Sequence, residues 1–186
     1  MRALLRKWYY SAIATAARLL TPFRFSAYVR APGPKKLQIG AGPSFTDGWL
    51  VTDIEPPRLS VGYLDATRRY PFPDASFDYI HSEHMIEHVP YPDALKMLAE
   101  CCRVLKPGGV FIVLDHAAAP GTPLDPDDKL HRIDPAHVKK QLESSGFKYE
   151  GESTVLRNPA DDHTKTVFDP AVRGHTDQFI YKFRKP

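Results

Sequence analysis

The chain has 186 residues, 42% of them hydrophobic and 11% aromatic, with a formal net charge of +3. That suits one compact domain with a sizeable core and excludes a disordered polyelectrolyte. So small a charge gives no ground to expect nucleic-acid binding. The positive residues gather at the ends: Arg2, Arg6, Lys7, Arg18, Arg24 and Arg30 in front, and Lys182, Arg184 and Lys185 behind. They read as solvated surface, with a polyanion site as the alternative.

In chain order, Leu5, Trp8, Tyr9, Ala12, Ile13, Ala16 and Leu20 recur at three- and four-residue spacing, one face of an amphipathic helix. Residues 1–30 are therefore expected to form a helix that packs on or caps the domain. A helix lying on a membrane surface and a cleaved leader are the other two readings of residues 1–20. No apolar run approaches the roughly 20 residues needed to span a bilayer. Residues 31–186 alternate strand-like and helix-like segments, which indicates a single doubly wound α/β domain. Strands are expected near 36–40, 49–53, 61–64, 77–81, 109–114, 149–155 and 177–184, and helices over 92–106 and 134–145. Pro90 and Pro92 precede the first of these helices and Pro107-Gly108-Gly109 stops it. Asp134-Pro135 opens the second as an N-cap with proline at the first helical position, and Gly146 ends it. The two cysteines, Cys101 and Cys102, are helix neighbours pointing about 100° apart and do not readily bridge. They read as buried small hydrophobes in a reducing compartment, so a cytoplasmic location is expected.

The first strand runs into Gly40-Ala41-Gly42. Glycine at a strand end lets backbone approach a ligand, because it has no Cβ and accepts positive φ. The next strand closes on Asp53, an acidic end suited to accepting hydrogen bonds from ribose hydroxyls. Asp65 follows the third strand, and Leu105-Lys106-Pro107-Gly108-Gly109 precedes the fifth. This ordered set describes a nucleoside-containing cofactor lying across the carboxyl ends of parallel strands. Only Pro43 to Gly48 separate the first two strands, too few for the usual crossover of a dozen or more residues. The glycine turn is thus expected to open at most one helical turn.

In these segments, LQIGAG, GWLVTDI, LDATRRYPFPDASFDYIHSEHMIEHV and LAECCRVLKPGGVFIVLD, the chain resembles the class I S-adenosylmethionine-dependent methyltransferases from about Lys35 to Leu114. The resemblance implies a Rossmann-like, mostly parallel, seven-stranded sheet with S-adenosyl-L-methionine as cofactor. It places Gly40, Ala41 and Gly42 around the methionine part, Asp53 and Ile54 at the ribose, Asp65 and Ala66 by the adenine, and Ser82, Glu83 and His88 near the reacting centre. From Asp115 onward the chain looks like the end of a bacterial family of predicted methyltransferases. The first half looks more like small methyltransferases of sugar and cell-surface biosynthesis. The acceptor stays open.

Methyl transfer from a sulfonium demands orientation, exclusion of water and, where the acceptor arrives protonated, a base. His81, Glu83, His84, Glu87 and His88 follow the fourth strand; in a helix starting there, His84 and His88 share a face with Glu87 adjacent. His84 is the candidate base, while Glu87 and His88 read as architectural or cofactor-side. His84 to His88 also spells H-x-x-E-H, the inverted zinc-protease pattern, but no complete zinc-ligand set accompanies it and no metal is expected. Asp161-Asp162-His163 with His175 reads as a polar loop, or alternatively as a metal or proton-transfer cluster. Asp115, His116 and His131 flank the proline-rich segment 120–126, a loop placed to cover a substrate.

The leading function is methyl transfer to a small-molecule or sugar-like acceptor. A nicotinamide-dependent oxidoreductase shares G-x-G, but G-x-G-x-x-G would need glycine where Phe45 stands. A module that binds the cofactor without turnover is the third class.

Overall fold

The computed structural model describes residues 2–124 and 129–186. Its strands are β1 (Lys36–Ile39), β2 (Leu50–Asp53), β3 (Gly62–Tyr63), β4 (Phe77–Glu83), β5 (Leu105–His116), β6 (Lys148–Ser153) and β7 (Gln178–Arg184). All seven expected strands are present. They form one sheet in the order β3-β2-β1-β4-β5-β7-β6. β1 to β5 pair in parallel, and β7 enters antiparallel to both β5 and β6. β5 begins earlier than expected because Leu105 already pairs with Phe77; the register then shifts before Tyr79 meets Val110. The Pro107-Gly108-Gly109 turn is therefore a bulge within the pairing rather than a gap before it.

The helices are α1 (Arg2–Arg30), α2 (Tyr91–Val104) and α3 (Pro135–Ser144), with a 3₁₀ turn at Ile86–His88. The Asp134 carboxylate caps α3 by accepting from the Ala136 amide at 2.8 Å. Strand alternation puts Leu37, Ile39, Ile80, Phe111, Val113, Phe179 and Phe183 on one sheet face, and Phe77, before the register shift, joins the same core. There they meet Met97, Leu98 and Cys101 of α2 and Val138 and Leu142 of α3 in the main core. Cys101 is fully buried and burial lifts its thiol to about 12, whereas Cys102 is only half-buried. Tyr79, Ile112, Ile180 and Lys182 point to the opposite face, which stays half-exposed or exposed.

α1 lies along the β3 edge. Phe25 reaches in to stack on Phe72 at 4.6 Å, which meets Phe77 at 4.8 Å. Thr21 Oγ1 accepts from the Tyr63 amide at 2.8 Å, and the Arg18 guanidinium sits 4.4 Å above the Tyr63 ring. Residues 43–48 make turns and no helix, as their number demanded. What holds them is Gln38, buried in mid-β1: its Nε2 donates to Ser44 O at 3.0 Å and its Oε1 accepts from the Thr46 amide at 3.1 Å. A side-chain clasp thus replaces the crossover helix. No described helix is long and apolar enough to cross a membrane. Residues 125–128, at the end of the proline-rich segment, lie outside the described residues.

Candidate active site

The carboxyl ends of β1, β2, β4 and β5 share one edge of the sheet, the place where ligands bind in open α/β folds. At β1 the chain turns through Gly40 and Gly42 with φ of +60° and +51°. The two glycines serve different ends. A Cβ on Gly40 would overlap the Met85 side chain, so this glycine makes room for the segment leaving β4. A Cβ on Gly42 would meet nothing within 4 Å, as at several other turn glycines, so here the left-handed φ rather than crowding calls for glycine.

Asp53 staples this turn. Its Oδ2 accepts from the Gly42 amide at 2.8 Å and its Oδ1 from the Glu55 amide at 2.8 Å. The Ala41 amide donates to Thr52 O at 3.1 Å, and the Leu64 amide to Asp53 O at 3.0 Å, so the ends of β1, β2 and β3 are tied in sequence. Each carboxylate oxygen keeps a further lone pair for a ribose hydroxyl. Asp65 is similarly occupied: Oδ1 accepts from the amide and hydroxyl of Thr67, and Oδ2 from Arg68 Nε. Burial pushes the Asp65 carboxyl up, but those bonds and the Arg68 charge outweigh it and hold the carboxyl below its ordinary value. Ala41 and Ala66 are buried beside these turns, while Ile54 is 53% exposed. The glycine turn, the Asp53 carboxylate and the open space at Gly42 fit a nucleoside cofactor with a small amino-acid part.

Across the edge, Ser82 is buried opposite Ile39 in the β1–β4 register, with Glu83 closing β4. His84 then takes φ +48°, a left-handed conformation that costs a non-glycine residue about 1–2 kcal/mol. Its amide donates to Leu114 O at 3.0 Å, extending the β4–β5 pairing by one residue. The imidazole stacks on His116, centroids 4.1 Å apart and planes at 16°, and its Nδ1 lies 3.8 Å from Asp115 Oδ1. This Nδ1 is buried and makes no hydrogen bond.

The helix expected to carry His84 and His88 on one face is absent. Only Ile86–His88 form a 3₁₀ turn, because Pro90, the N-cap of α2, ends the segment two residues later. His84 faces β5, whereas His88 turns edge-on to His131 at 4.9 Å. The H-x-x-E-H string is therefore not a helical ligand pair. Glu87 points inward with a side chain only 2% exposed. Its Oε1 lies 3.4 Å from His88 Nε2, and its Oε2 makes no hydrogen bond. Burial first, and the Asp115 carboxyl second, push the Glu87 carboxyl up to about 10, so it carries a proton at neutral pH. Burial and the neighbouring His84 lower His116 to about 3 and keep it neutral.

Beyond the 3₁₀ turn lies a cavity of about 390 Å³, walled by Glu87, His88, Tyr91, Leu124, Arg132 and Gln141 among others. His88 thus faces this cavity rather than the glycine turn. Two partners escaped the sequence reading. Asp115, a loop flank by its place in the sequence, is fully buried beside His84 and Glu87. Arg132 is fully buried against Asp161 at 2.9 Å and donates to the carbonyls of Ala117 and Lys165. Asp161 also accepts from the Asp177 amide at 2.7 Å, and His163 Nε2 lies 3.1 Å from Asp177. The Asp161–His163 group is thereby a tether that binds the loop before β7 to the exit of β5, and His175 stays exposed apart from it. Positional signals marked Asp161 as part of a polar loop but not Arg132, its charge partner.

A family model described as "Methyltransferase domain" matches residues 52–113, from β2 into β5. A probable S-adenosylmethionine-dependent methyltransferase of Mycolicibacterium smegmatis is 30% identical over 144 residues, 65% of this chain and 54% of that protein. A ubiquinone/menaquinone biosynthesis C-methyltransferase of Laribacter hongkongensis is 28% identical over 187 residues, 86% of this chain and 75% of that protein. The chain thus spans about half the length of the first relative and three quarters of the second. An S-adenosylmethionine-dependent methyltransferase of Mesorhizobium loti shares the fold with a TM-score of 0.57 at 16% identity, covering 88% of this chain and 96% of that one. In strand order, glycine turn and these similarities the chain resembles the class I S-adenosylmethionine-dependent methyltransferases.

Proposed function

We propose that the chain transfers a methyl group from S-adenosylmethionine to a small-molecule or sugar-like acceptor. The observation that carries this reading is the left-handed Gly42 stapled by Asp53, with a second cluster of buried polar groups at the ends of β4 and β5 along the same sheet edge. The bound cofactor supplies an electrophilic methyl group. Gly42 gives its methionine part room, and Asp53 and Asp65 receive ribose and adenine. Met85, packed over Gly40, sets how closely the segment after β4 approaches. The cavity beside Glu87 and His88 is small and holds both apolar and polar walls, which suits an acceptor of a few rings or fewer. Where that acceptor arrives protonated, His84 is the side chain placed to receive the proton in the metal-free protein.

Isothermal titration with S-adenosylmethionine and with NAD, followed by mass analysis of a panel of hydroxylated and amino acceptors, tests the reading. Micromolar binding of S-adenosylmethionine alone, and a product heavier by one methyl group, are expected. Gly42→Val should abolish binding while the melt stays cooperative, and His84→Ala should lower turnover about a hundredfold with affinity little changed. Tight binding with no product on any acceptor would favour the non-catalytic module, and NAD binding in its place would overturn the reading.

A further inference from the structure

His84, Glu87 and Asp115 come from two chain segments, yet one ligand atom of each lies within 4.8 Å of the others. Two polar atoms of these residues, His84 Nδ1 and Glu87 Oε2, are buried and without a hydrogen-bond partner. That is costly, because a buried polar atom without a partner loses the hydrogen bond it would make to water. The other side of each residue is already held. His88 Nε2 lies 3.4 Å from Glu87 Oε1, the His116 amide donates to Asp115 Oδ1 at 2.7 Å, and His84 is fixed by its bond to Leu114 and its stack on His116. Residues that orient ligands from behind in this way are what metal sites require. A cation bound between the two carboxyls would displace the proton that Glu87 carries.

We propose that His84, Glu87 and Asp115 bind one divalent first-row cation. One imidazole and two carboxylates form a neutral site with M²⁺, a donor set suited to Mn²⁺, Fe²⁺, Co²⁺ or Zn²⁺ and too nitrogen-rich for Ca²⁺. Three protein ligands leave further positions open. His84 is one-third exposed, so those positions face outward, towards where an acceptor oxygen would enter. In the metal-loaded protein His84 is a ligand, and a hydroxyl acceptor bound to the cation loses its proton more readily without a protein base.

This inference does not rest on the methyl-transfer reading, since metal binding is measured without cofactor or acceptor. Mn²⁺ is titrated into the full chain and the free-ion electron paramagnetic resonance signal is followed; Zn²⁺ retained after dialysis is counted by elemental analysis. One equivalent of each is expected. Glu87→Gln, which keeps the shape of the side chain, and Asp115→Asn should each weaken Mn²⁺ binding at least tenfold, with unchanged circular dichroism for Glu87→Gln. Gly42→Val should bind Mn²⁺ as the wild type does, so that loss of cofactor binding and loss of metal binding are told apart. A wild-type protein that leaves Mn²⁺ free at millimolar concentration would overturn the proposal. So would variants that bind as the wild type does, because the ion would then sit elsewhere, as at His163 and Asp177.

Discussion

The carboxyl edge of the sheet has two halves built on opposite terms. At the ends of β1, β2 and β3 the polar groups are spent on the chain itself: Asp53 on two amides, Asp65 on Thr67 and Arg68, Gln38 on the 43–48 turn. At the ends of β4 and β5, buried atoms of His84 and Glu87 are left over, and His84 sits in a strained conformation. The first half is a rigid cradle that presents backbone and spare lone pairs. The second holds buried titratable groups with single atoms left over, the condition expected where a substrate or ion completes the site. A satisfied polar network lies just beyond, at Arg132 and Asp161, which shows that this sequence can satisfy buried charge where stability demands it.

The largest effect is expected at that satisfied network. Arg132→Met leaves Asp161 fully buried without its cation, and breaking such a pair costs about 3–5 kcal/mol. Chemical denaturation should show a fall of that size; a loss below about 1 kcal/mol would mean that the 157–177 tether is not part of the cooperative fold. Next comes Asp53→Ala, which releases the amides of Gly42 and Glu55 as well as any ribose contact. Two charge-assisted bonds at about 1.5–3 kcal/mol each bound the loss, which should split between a lowered melting temperature and S-adenosylmethionine affinity weakened about tenfold to a hundredfold. Affinity unchanged despite a lower melting temperature would make Asp53 a staple only.

Much of the cradle was legible in the sequence because its signals are local. Gly40, Gly42 and Asp53 announce themselves by strand-end position, and the short 43–48 connection ruled out a helix by counting alone. What counting could not separate was the two glycines: only the path of Met85 shows that Gly40 serves packing, while Gly42 serves the turn. The second half was half-legible. His84 and Glu87 stood out as titratable residues after a strand, but a helical template put His84 beside His88, when Pro90, the N-cap of α2, leaves room for just a 3₁₀ turn. Asp115 lies 28 positions after Glu87 and becomes its neighbour through the parallel β4–β5 register. Such a pairing has no local periodicity. Gln38 and Arg132 were missed for the same reason: each is a single polar residue whose partners are fixed by tertiary structure.

The smallest expected change in stability sharpens the contrast most. His84→Gly removes an imidazole with an unpartnered nitrogen and places at φ +48° the one residue that adopts this conformation freely. Relief of about 1–2 kcal/mol of backbone cost is offset by the glycine's greater freedom in the unfolded chain, about 0.4–1 kcal/mol, and by loss of the stack on His116. The net should lie within about 1 kcal/mol, a melting-temperature shift of about 2–4 °C or less at this chain length. Turnover should nonetheless fall about a hundredfold, whether His84 takes a proton or holds a cation. No residue of the cradle should behave so, because there function and stability use the same hydrogen bonds. A melting temperature lower by more than about 8 °C, with turnover per folded molecule unchanged, would reverse the assignment: His84 would then be structural, and the strain at the end of β4 would serve the fold rather than the chemistry.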